Sequence, residues 1–157
     1  PALALACGLA EALPYADDAF DLVCSSWVLE HLRNPARVFA EVTRVLGASG
    51  RFIFLTPNVH HPLLILNRAL HWTQGCLVDH LYDRPQADIF PAFYRANSPK
   101  RIGHLARAAG FDHVWVKCLG DPTYLAFNEP LFRVACVLED LTPCPLRVHL
   151  VGVCATG

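Results

Sequence analysis

The residues best suited to chemistry follow directly after an apolar stretch, Phe20 to Cys24. Glu30 and His31 are ionisable neighbours there, and imidazole is the side chain whose ordinary pKa lies nearest to neutral pH. Beside a reacting hydroxyl or amine, His31 would act as a general base. A lone histidine at the start of a helix is more often structural, so both roles stay open. A second stretch with a polar side chain ends at Asn58 and follows the apolar run Arg51 to Thr56.

Metal binding is the first alternative for the histidines and cysteines. The seven cysteines are widely spaced and contain no CxxC pair. Four histidines also match no common zinc spacing, namely His60, His61, His71 and His80. We therefore predict no metal site. The unpaired thiols favour a reducing, cytoplasmic setting.

A strand–helix–strand unit must hold Glu30, His31 and Asn58 at one edge of a sheet. Phe20 to Cys24 predicts a strand that is buried on both faces. Asn34 is a helix cap, followed by proline at the first helical position. The apolar residues of this helix recur at helical spacing: Val38, Phe39, Val42, Val45 and Leu46. Gly47 and Gly50 are predicted to end the helix, and Arg51 to Thr56 to form a parallel strand. Ligands of such sheets bind beyond the carboxyl ends of the strands.

The rest of the chain continues the alternation of helices and strands. The predicted helices are 62–72, 99–109 and 130–141, and the predicted strands are 3–7, 111–119 and 146–154. Residues 60–95 depart from the alternation and predict a lid-like insertion over the substrate. Without a linker or a repeat, residues 1–157 are expected to form a single domain.

Two blocks of sequence resemble a known family. The run LPYADDAFDLVCSSWVLEHL, then NPARVFAEVTRVLGASGRFIFLTPN, and later FPAFYRANSPKRIGHLARAAGF, resemble a class I S-adenosylmethionine-dependent methyltransferase of the group that includes the ubiquinone- and menaquinone-biosynthesis enzymes. The resemblance implies an α/β, Rossmann-like sheet with helices on both faces and strand order 3-2-1-4-5-7-6. The family's glycine-rich loop has no counterpart here, since no GxGxG occurs. We therefore expect the chain to lack the first two strands and the N-terminal cofactor-binding part.

The resemblance also implies S-adenosylmethionine as the cofactor. The residues carried over to its pocket are Leu9, Ala10, Ser25, Ser26 and Trp27. Many relatives have an aspartate at the position of Leu9, which bonds to adenine. Leu9 cannot make that bond and is equally well explained as a core residue, so the contact would rest on the backbone of Ala10.

For the acceptor site, the resemblance and the insertion together suggest Glu30, Asn58, His60, Phe93 and Tyr94. Ubiquinone-type relatives bind a divalent metal through a Glu-x-x-Glu-His set. Trp27 replaces the first of those glutamates here, so two ligands remain and no metal is expected.

Three functions follow from these patterns. The first is methyl transfer to an oxygen, nitrogen or carbon of a small molecule, with this chain by itself inactive. The second is a degenerate or truncated partner subunit without catalysis. The third is an NAD-dependent dehydrogenase, but the GxGxxG motif of that class is absent from the sequence.

The 13 basic and 14 acidic side chains give no basic excess, so nucleic acid is not an expected partner. No apolar run is long enough to span a bilayer. Missing strands would leave one sheet edge open, and we expect one of two outcomes: Leu3 to Cys7 packs onto that edge, or the edge stays open and the chain self-associates.

Overall fold

A computed structural model describes residues 5–74, 91–125 and 127–157 of the chain. In chain order, its strands and helices are β1 (Phe20–Ser26), α1 (Pro35–Val45), β2 (Leu46–Pro57), α2 (Pro62–Gln74), α3 (Pro99–Ala109), β3 (His113–Leu119), α4 (Glu129–Leu141) and β4 (His149–Ala155). Short 3-10 turns occupy Leu29–His31, Pro122–Leu125 and Cys144–Leu146.

The strands form one sheet in the order β1-β2-β4-β3. β1 runs parallel to β2, and β4 runs antiparallel to both of its neighbours. The carboxyl ends of β1, β2 and β3 therefore meet the start of β4 at one edge, called here the carboxyl edge. This arrangement confirms the predicted α/β class and corresponds to the last four positions, 4-5-7-6, of the implied strand order.

The core lies between the sheet and the helices α1 and α3. Phe52 and Phe54 of β2 are buried on this side, and the ring of Phe39 from α1 meets Phe52 edge-on with centroids 5.7 Å apart. Phe111, which follows α3, stacks on Phe52 at 6.4 Å. Aromatic pairs in these geometries stabilise a core beyond their buried area. The other buried members include Leu29, Leu32, Val38, Val42, Ile102, Leu105, Ala106, Leu150 and Cys154.

The opposite side of the sheet is far more exposed. Leu22 of β1 and Trp115 of β3 lie on this side and are 50% and 55% exposed. The prediction that Phe20 to Cys24 is buried on both faces is therefore wrong for this chain. In the described residues, β1 is an edge strand whose neighbour is β2, and only the side facing the helices is shielded.

The junction between α1 and β2 also differs from the prediction. Helix α1 ends at Val45, and Leu46 already has extended backbone angles, so Gly47 and Gly50 lie within β2 instead of ending the helix. The register is irregular here, because Phe20 pairs with Leu46 while Leu22 pairs with Arg51. The intervening residues bulge out of the ladder, as an extra segment in one strand requires.

Three other boundaries can be compared with their capping residues. Asn34 and Ser98 accept a hydrogen bond from the backbone of the third helical residue, and Gly110 has the left-handed φ of 101° that ends α3. These caps confirm the predicted limits. The last strand begins at His149 and not at residue 146, because a 3-10 turn occupies the positions before it.

The segment before β1 is held by α1 instead of by the sheet. Residues 5–7 of the predicted strand 3–7 are not in a strand, and residues 1–4 lie outside the described residues. The guanidinium of Arg44 contacts Asp17 at 2.6 Å and Glu41 at 2.9 Å, and it donates to the carbonyls of Tyr15 and Leu13. Glu41 also accepts the backbone N–H of Leu13 at 2.9 Å. This network fixes the approach to β1 on the surface of α1.

The network makes stability depend on pH. The hydrogen bond from Arg44, followed by that from the Leu13 N–H, lowers the pKa of Glu41 from 4.5 to about 2. A lowered pKa stabilises the fold above pH 4.5, and this contribution is lost as the pH falls through about 2. Both Glu41→Gln and Arg44→Gln should flatten the decline of the unfolding free energy between these values, as measured by urea unfolding at a series of pH values. A wild-type slope in either variant would contradict the assignment.

Candidate functional site

The loop after β1 begins with a sharp turn at Trp27. This residue has a left-handed φ of 58°, and its N–H donates to the carbonyl of Leu55 at 3.0 Å. A non-glycine residue in this conformation costs about 1 kcal/mol or more, so the surrounding contacts must fix it. Trp27 is 42% exposed and lies at the carboxyl edge.

A buried hydrogen-bond network follows Trp27. Glu30 is only 5% exposed, and its Oε2 accepts a hydrogen bond from the Thr56 hydroxyl at 3.1 Å. The amide of Asn97 donates to the same hydroxyl oxygen at 2.7 Å and to the carbonyl of Pro57 at 3.2 Å. The Glu30–Thr56–Asn97 network thus joins the loop after β1, the end of β2 and the approach to α3.

The backbone of Glu30 adds a second connection. Its carbonyl accepts the N–H groups of Phe93 and Tyr94 at 2.7 and 3.0 Å. Three of the residues that the sequence suggested for the acceptor site are therefore brought together: Glu30, Phe93 and Tyr94. Both aromatic rings are half-buried, and Tyr94 has a left-handed φ of 51°.

His31 lies next to this connection with its side chain 35% exposed. Its Nδ1 is 3.1 Å from the carbonyl oxygen of Pro91. Because a carbonyl only accepts, Nδ1 carries the proton of the neutral ring and Nε2 carries the basic lone pair. Nε2 is 3.9 Å from Oε1 of Glu30.

A second histidine–carboxylate pair occupies the same edge. Nε2 of His149 lies 3.2 Å from Oδ2 of Asp121, and the His149 ring meets Trp27 edge-on at 4.9 Å. Burial opposes ionisation of Asp121, but hydrogen bonds from Thr123 and His149 outweigh it and lower the pKa of the carboxyl. Burial, together with the nearby His149, lowers the pKa of His61.

Sequence reasoning missed this pair, and its signal was weak. His149 interrupts the otherwise apolar run of the last strand, and a buried imidazole requires a polar partner. Nothing in the sequence names Asp121 as that partner, because 28 residues separate the two.

The residues suggested for the cofactor pocket are more dispersed. Leu9 is 71% exposed, in a turn closed by its bridge to Ala12, while Ala10 is half-buried against the core. Ser25 is half-buried, and its hydroxyl is buried without a hydrogen-bond partner among the described residues. Ser26 is exposed on the other side of the strand.

Two further residues suggested for the acceptor site have different surroundings. Asn58 is fully buried, and its amide donates to the carbonyls of Pro145 and Arg147 at 2.9 and 2.8 Å. Its Oδ1 accepts the N–H of His60, whose side chain is exposed. Asn58 thus positions the loop before β4 beside the end of β2.

Two properties of the described part of the chain bear on alternatives. No cluster of three His, Cys, Asp or Glu side chains there is suitable for a metal ion. None of the described helices combines the length and the apolar character needed to cross a membrane. Part of the predicted lid, residues 75–90 with His80, lies outside the described residues.

Comparison with known proteins links this geometry to a family. A family model described as "Methyltransferase domain" matches residues 1–54. An uncharacterised methyltransferase, YcgJ of Bacillus subtilis (strain 168), is 38% identical over 48 residues, 31% of this chain and 19% of the relative. Ajmaline N-methyltransferase of Rauvolfia serpentina is 43% identical over 51 residues, 32% of this chain and 17% of the relative.

Solved structures extend the similarity over the remaining residues. The crystal structure of a SAM-dependent methyltransferase from Thermotoga maritima, a possible histamine N-methyltransferase, has a TM-score of 0.62 at 18% identity, covering 96% of this chain and 62% of that chain. The chain thus spans less than two thirds of that structure, and its sequence matches cover about a fifth of each curated relative. The chain has the class I S-adenosylmethionine-dependent methyltransferase fold, and its first 54 residues match the family model of a methyltransferase domain.

Proposed function

We propose that the protein containing this chain transfers a methyl group from S-adenosylmethionine to a small molecule in the cytoplasm. The observation that supports this most directly is the position of His31, beside a buried carboxylate at the carboxyl edge of a methyltransferase fold. The cofactor supplies an electrophilic methyl group when bound. The chain's own residues then have three tasks, which are to hold the cofactor, to orient the acceptor and to accept its proton.

The residues that would hold the cofactor suit it only in part. The unpartnered hydroxyl of Ser25 offers a polar contact, and the exposed ring of Trp27 offers a surface for an apolar group. The Trp27 N–H is already bonded to Leu55, so this residue would contribute its ring and not its backbone. Ser26 and Ala10 would complete the contacts from this chain. Leu9 supplies no polar side-chain atom to adenine.

His31 would perform the third task. Its Nε2 would accept the proton that the acceptor loses as the methyl group arrives, and the Glu30 carboxylate at 3.9 Å would stabilise the resulting charge. Glu30 is fixed for this by the Thr56 hydroxyl. Phe93, Tyr94 and His60 would then line the acceptor side, with Asn58 acting through the loop that it holds. One similar protein is named as an N-methyltransferase and another as a possible histamine N-methyltransferase, and these names favour an amine acceptor.

A second candidate function is that of a partner subunit without catalysis. The exposed side of the sheet and the edge position of β1 favour it, since both are suited to contact with another chain. The absence of a GxGxG loop from the sequence favours it as well.

Cofactor affinity separates the two functions. We expect the 157-residue chain alone to bind S-adenosylmethionine with a Kd weaker than about 1 mM. A glycine-rich loop normally lets the backbone approach the cofactor, and this sequence contains no GxGxG. Isothermal titration calorimetry should show no saturation in the micromolar range. A longer product of the same gene, where one is encoded, should bind at micromolar concentrations. Micromolar binding by the 157 residues would refute the expectation of weak binding.

The role of His31 is tested in whichever product is active. His31→Ala should lower kcat by about 100-fold and leave cofactor affinity within about twofold, because a general base acts on the acceptor. The acidic limb of the pH–rate profile should disappear with it, which a structural role would not cause. His104→Ala, which removes an exposed histidine on α3, is the matched control. Trp27→Ala should weaken cofactor binding first. An unchanged kcat in His31→Ala would show that His31 is not the general base.

Self-association is expected through β1. This strand has an exposed edge with exposed Leu22 and Cys24, and Asp21 is its only charged residue. Light scattering should show oligomers that grow with concentration. Leu22→Lys should shift the chain toward monomer, and Trp115→Lys on β3 should not. A wild-type monomer at all concentrations would argue against pairing through this edge.

A further inference from the structure

An open cleft of about 580 Å³ lies beside the candidate site, and three arginines are among the described residues that line it. We call it the arginine cleft. The described residues of its lining are Arg33, Asn34, Pro35, Ala36, Arg95 and Arg101. The arginines come from different segments, namely the loop before α1, the segment before α3 and the first turn of α3. Only the fold brings them together.

The positive charges in the cleft form no ion pairs with carboxylates of the described residues. The ion pairs between described arginines and carboxylates involve Arg44 and Arg133, and none of the three cleft arginines is in such a pair. Like charges that are held together repel one another unless an anion is present.

Two of these arginines are also held in place. The guanidinium carbons of Arg33 and Arg95 lie 5.5 and 5.7 Å from the centroid of the Phe93 ring. Arg95 also donates to the carbonyl of Arg33 at 2.6 Å. Contacts to an aromatic face and to a carbonyl leave a guanidinium's charge intact while they reduce its freedom to move. Arg33 and Arg95 are thus held in the cleft before any anion arrives.

The two helices at the cleft add to the positive potential. Neither α1 nor α3 has an acidic residue in its first turn, where acids are favoured because the helix N-terminus is partly positive. Arg101 occupies the third helical position of α3, where glutamate would be stabilising. The whole chain has a formal net charge of −1, so the cleft is a local feature and not part of a generally basic surface.

We propose that the arginine cleft binds the anionic group of a small molecule, a phosphate or a carboxylate. Guanidinium groups bind both anions through paired, charge-assisted hydrogen bonds, and three of them favour a doubly charged phosphate. Phe93 connects the cleft to the candidate site, because its N–H bonds to Glu30 while its ring contacts Arg33. Anion binding does not require methyl transfer and is therefore independent of the function proposed above.

Inorganic phosphate and acetate are the probes for the 157-residue chain, titrated by NMR or calorimetry at constant ionic strength. We expect saturable phosphate binding with a Kd on the order of 1 mM. Arg101→Gln should weaken it by about tenfold or more, and Arg33→Gln similarly, because each loses a fork of donors. The matched control is Lys100→Gln, which removes the same charge one residue away without lining the cleft, and it should change the Kd by less than about twofold. Tighter binding of acetate than phosphate would assign the site to a carboxylate.

Three results would overturn the proposal. The first is no saturation with either anion up to about 50 mM. The second is an equal loss of affinity in Lys100→Gln and Arg101→Gln, because it would indicate that the anion responds to the general positive potential of the surface and not to a specific binding site. The third is binding of a single-stranded RNA oligomer, or of phosphatidylserine vesicles, that depends on Arg101 while phosphate does not bind. That result would assign the cleft to a macromolecular or membrane partner. Circular dichroism of Arg33→Gln and Arg101→Gln verifies that a loss of binding does not come from unfolding.

Discussion

The carboxyl edge depends on one buried carboxylate. Glu30 is 5% exposed, and a carboxylate removed from water is strongly destabilising unless hydrogen bonds replace its hydration. Thr56 provides one such bond, and Asn97 fixes the same hydroxyl from the opposite side. Because the three residues come from three separate segments, the need to satisfy Glu30 determines how those segments meet.

The consequences extend to the residues that carry the proposed chemistry. The carbonyl of Glu30 orders the backbone at Phe93 and Tyr94, and its side chain lies within reach of Nε2 of His31. Phe93 in turn holds two guanidinium groups of the arginine cleft. Glu30 thus helps to position His31, the aromatic rings of Phe93 and Tyr94 and, through Phe93, the arginine cleft. On the other side of the edge, the Asp121–His149 bond supports Trp27 in a similar way.

The two sides of the sheet contrast with this ordered edge. The side facing α1 and α3 contains the aromatic core of Phe39, Phe52 and Phe54, while the opposite side leaves Leu22 and Trp115 half exposed. Apolar surface of this kind is normally covered by another element or another chain. The chain therefore combines a four-stranded sheet that is well packed on one side with an exposed side that is suited to contact.

The sequence by itself determined much of the local structure. Asn34, Ser98 and Gly110 marked helix ends correctly because capping depends on a few adjacent residues. The apolar runs predicted β2 and the helix face of α1, and the order of these elements predicted that His31 lies near the carboxyl edge. The degree to which the faces of β1 are covered was not predictable in this way, because an apolar run does not reveal whether other elements pack on one face of a strand or on both.

Only the tertiary structure decided which side chains meet. β4 is the last strand in the chain, yet it lies between β2 and β3, and this insertion brings His149 to Asp121 and Trp27. The Glu30–Thr56–Asn97 network and the arginine cleft arise in the same way, through hydrogen bonds between residues that are 26 to 62 positions apart in sequence. Their signals are absent from any local window, because hydrogen bonds and charge pairing depend on distances of a few ångströms that the sheet order sets.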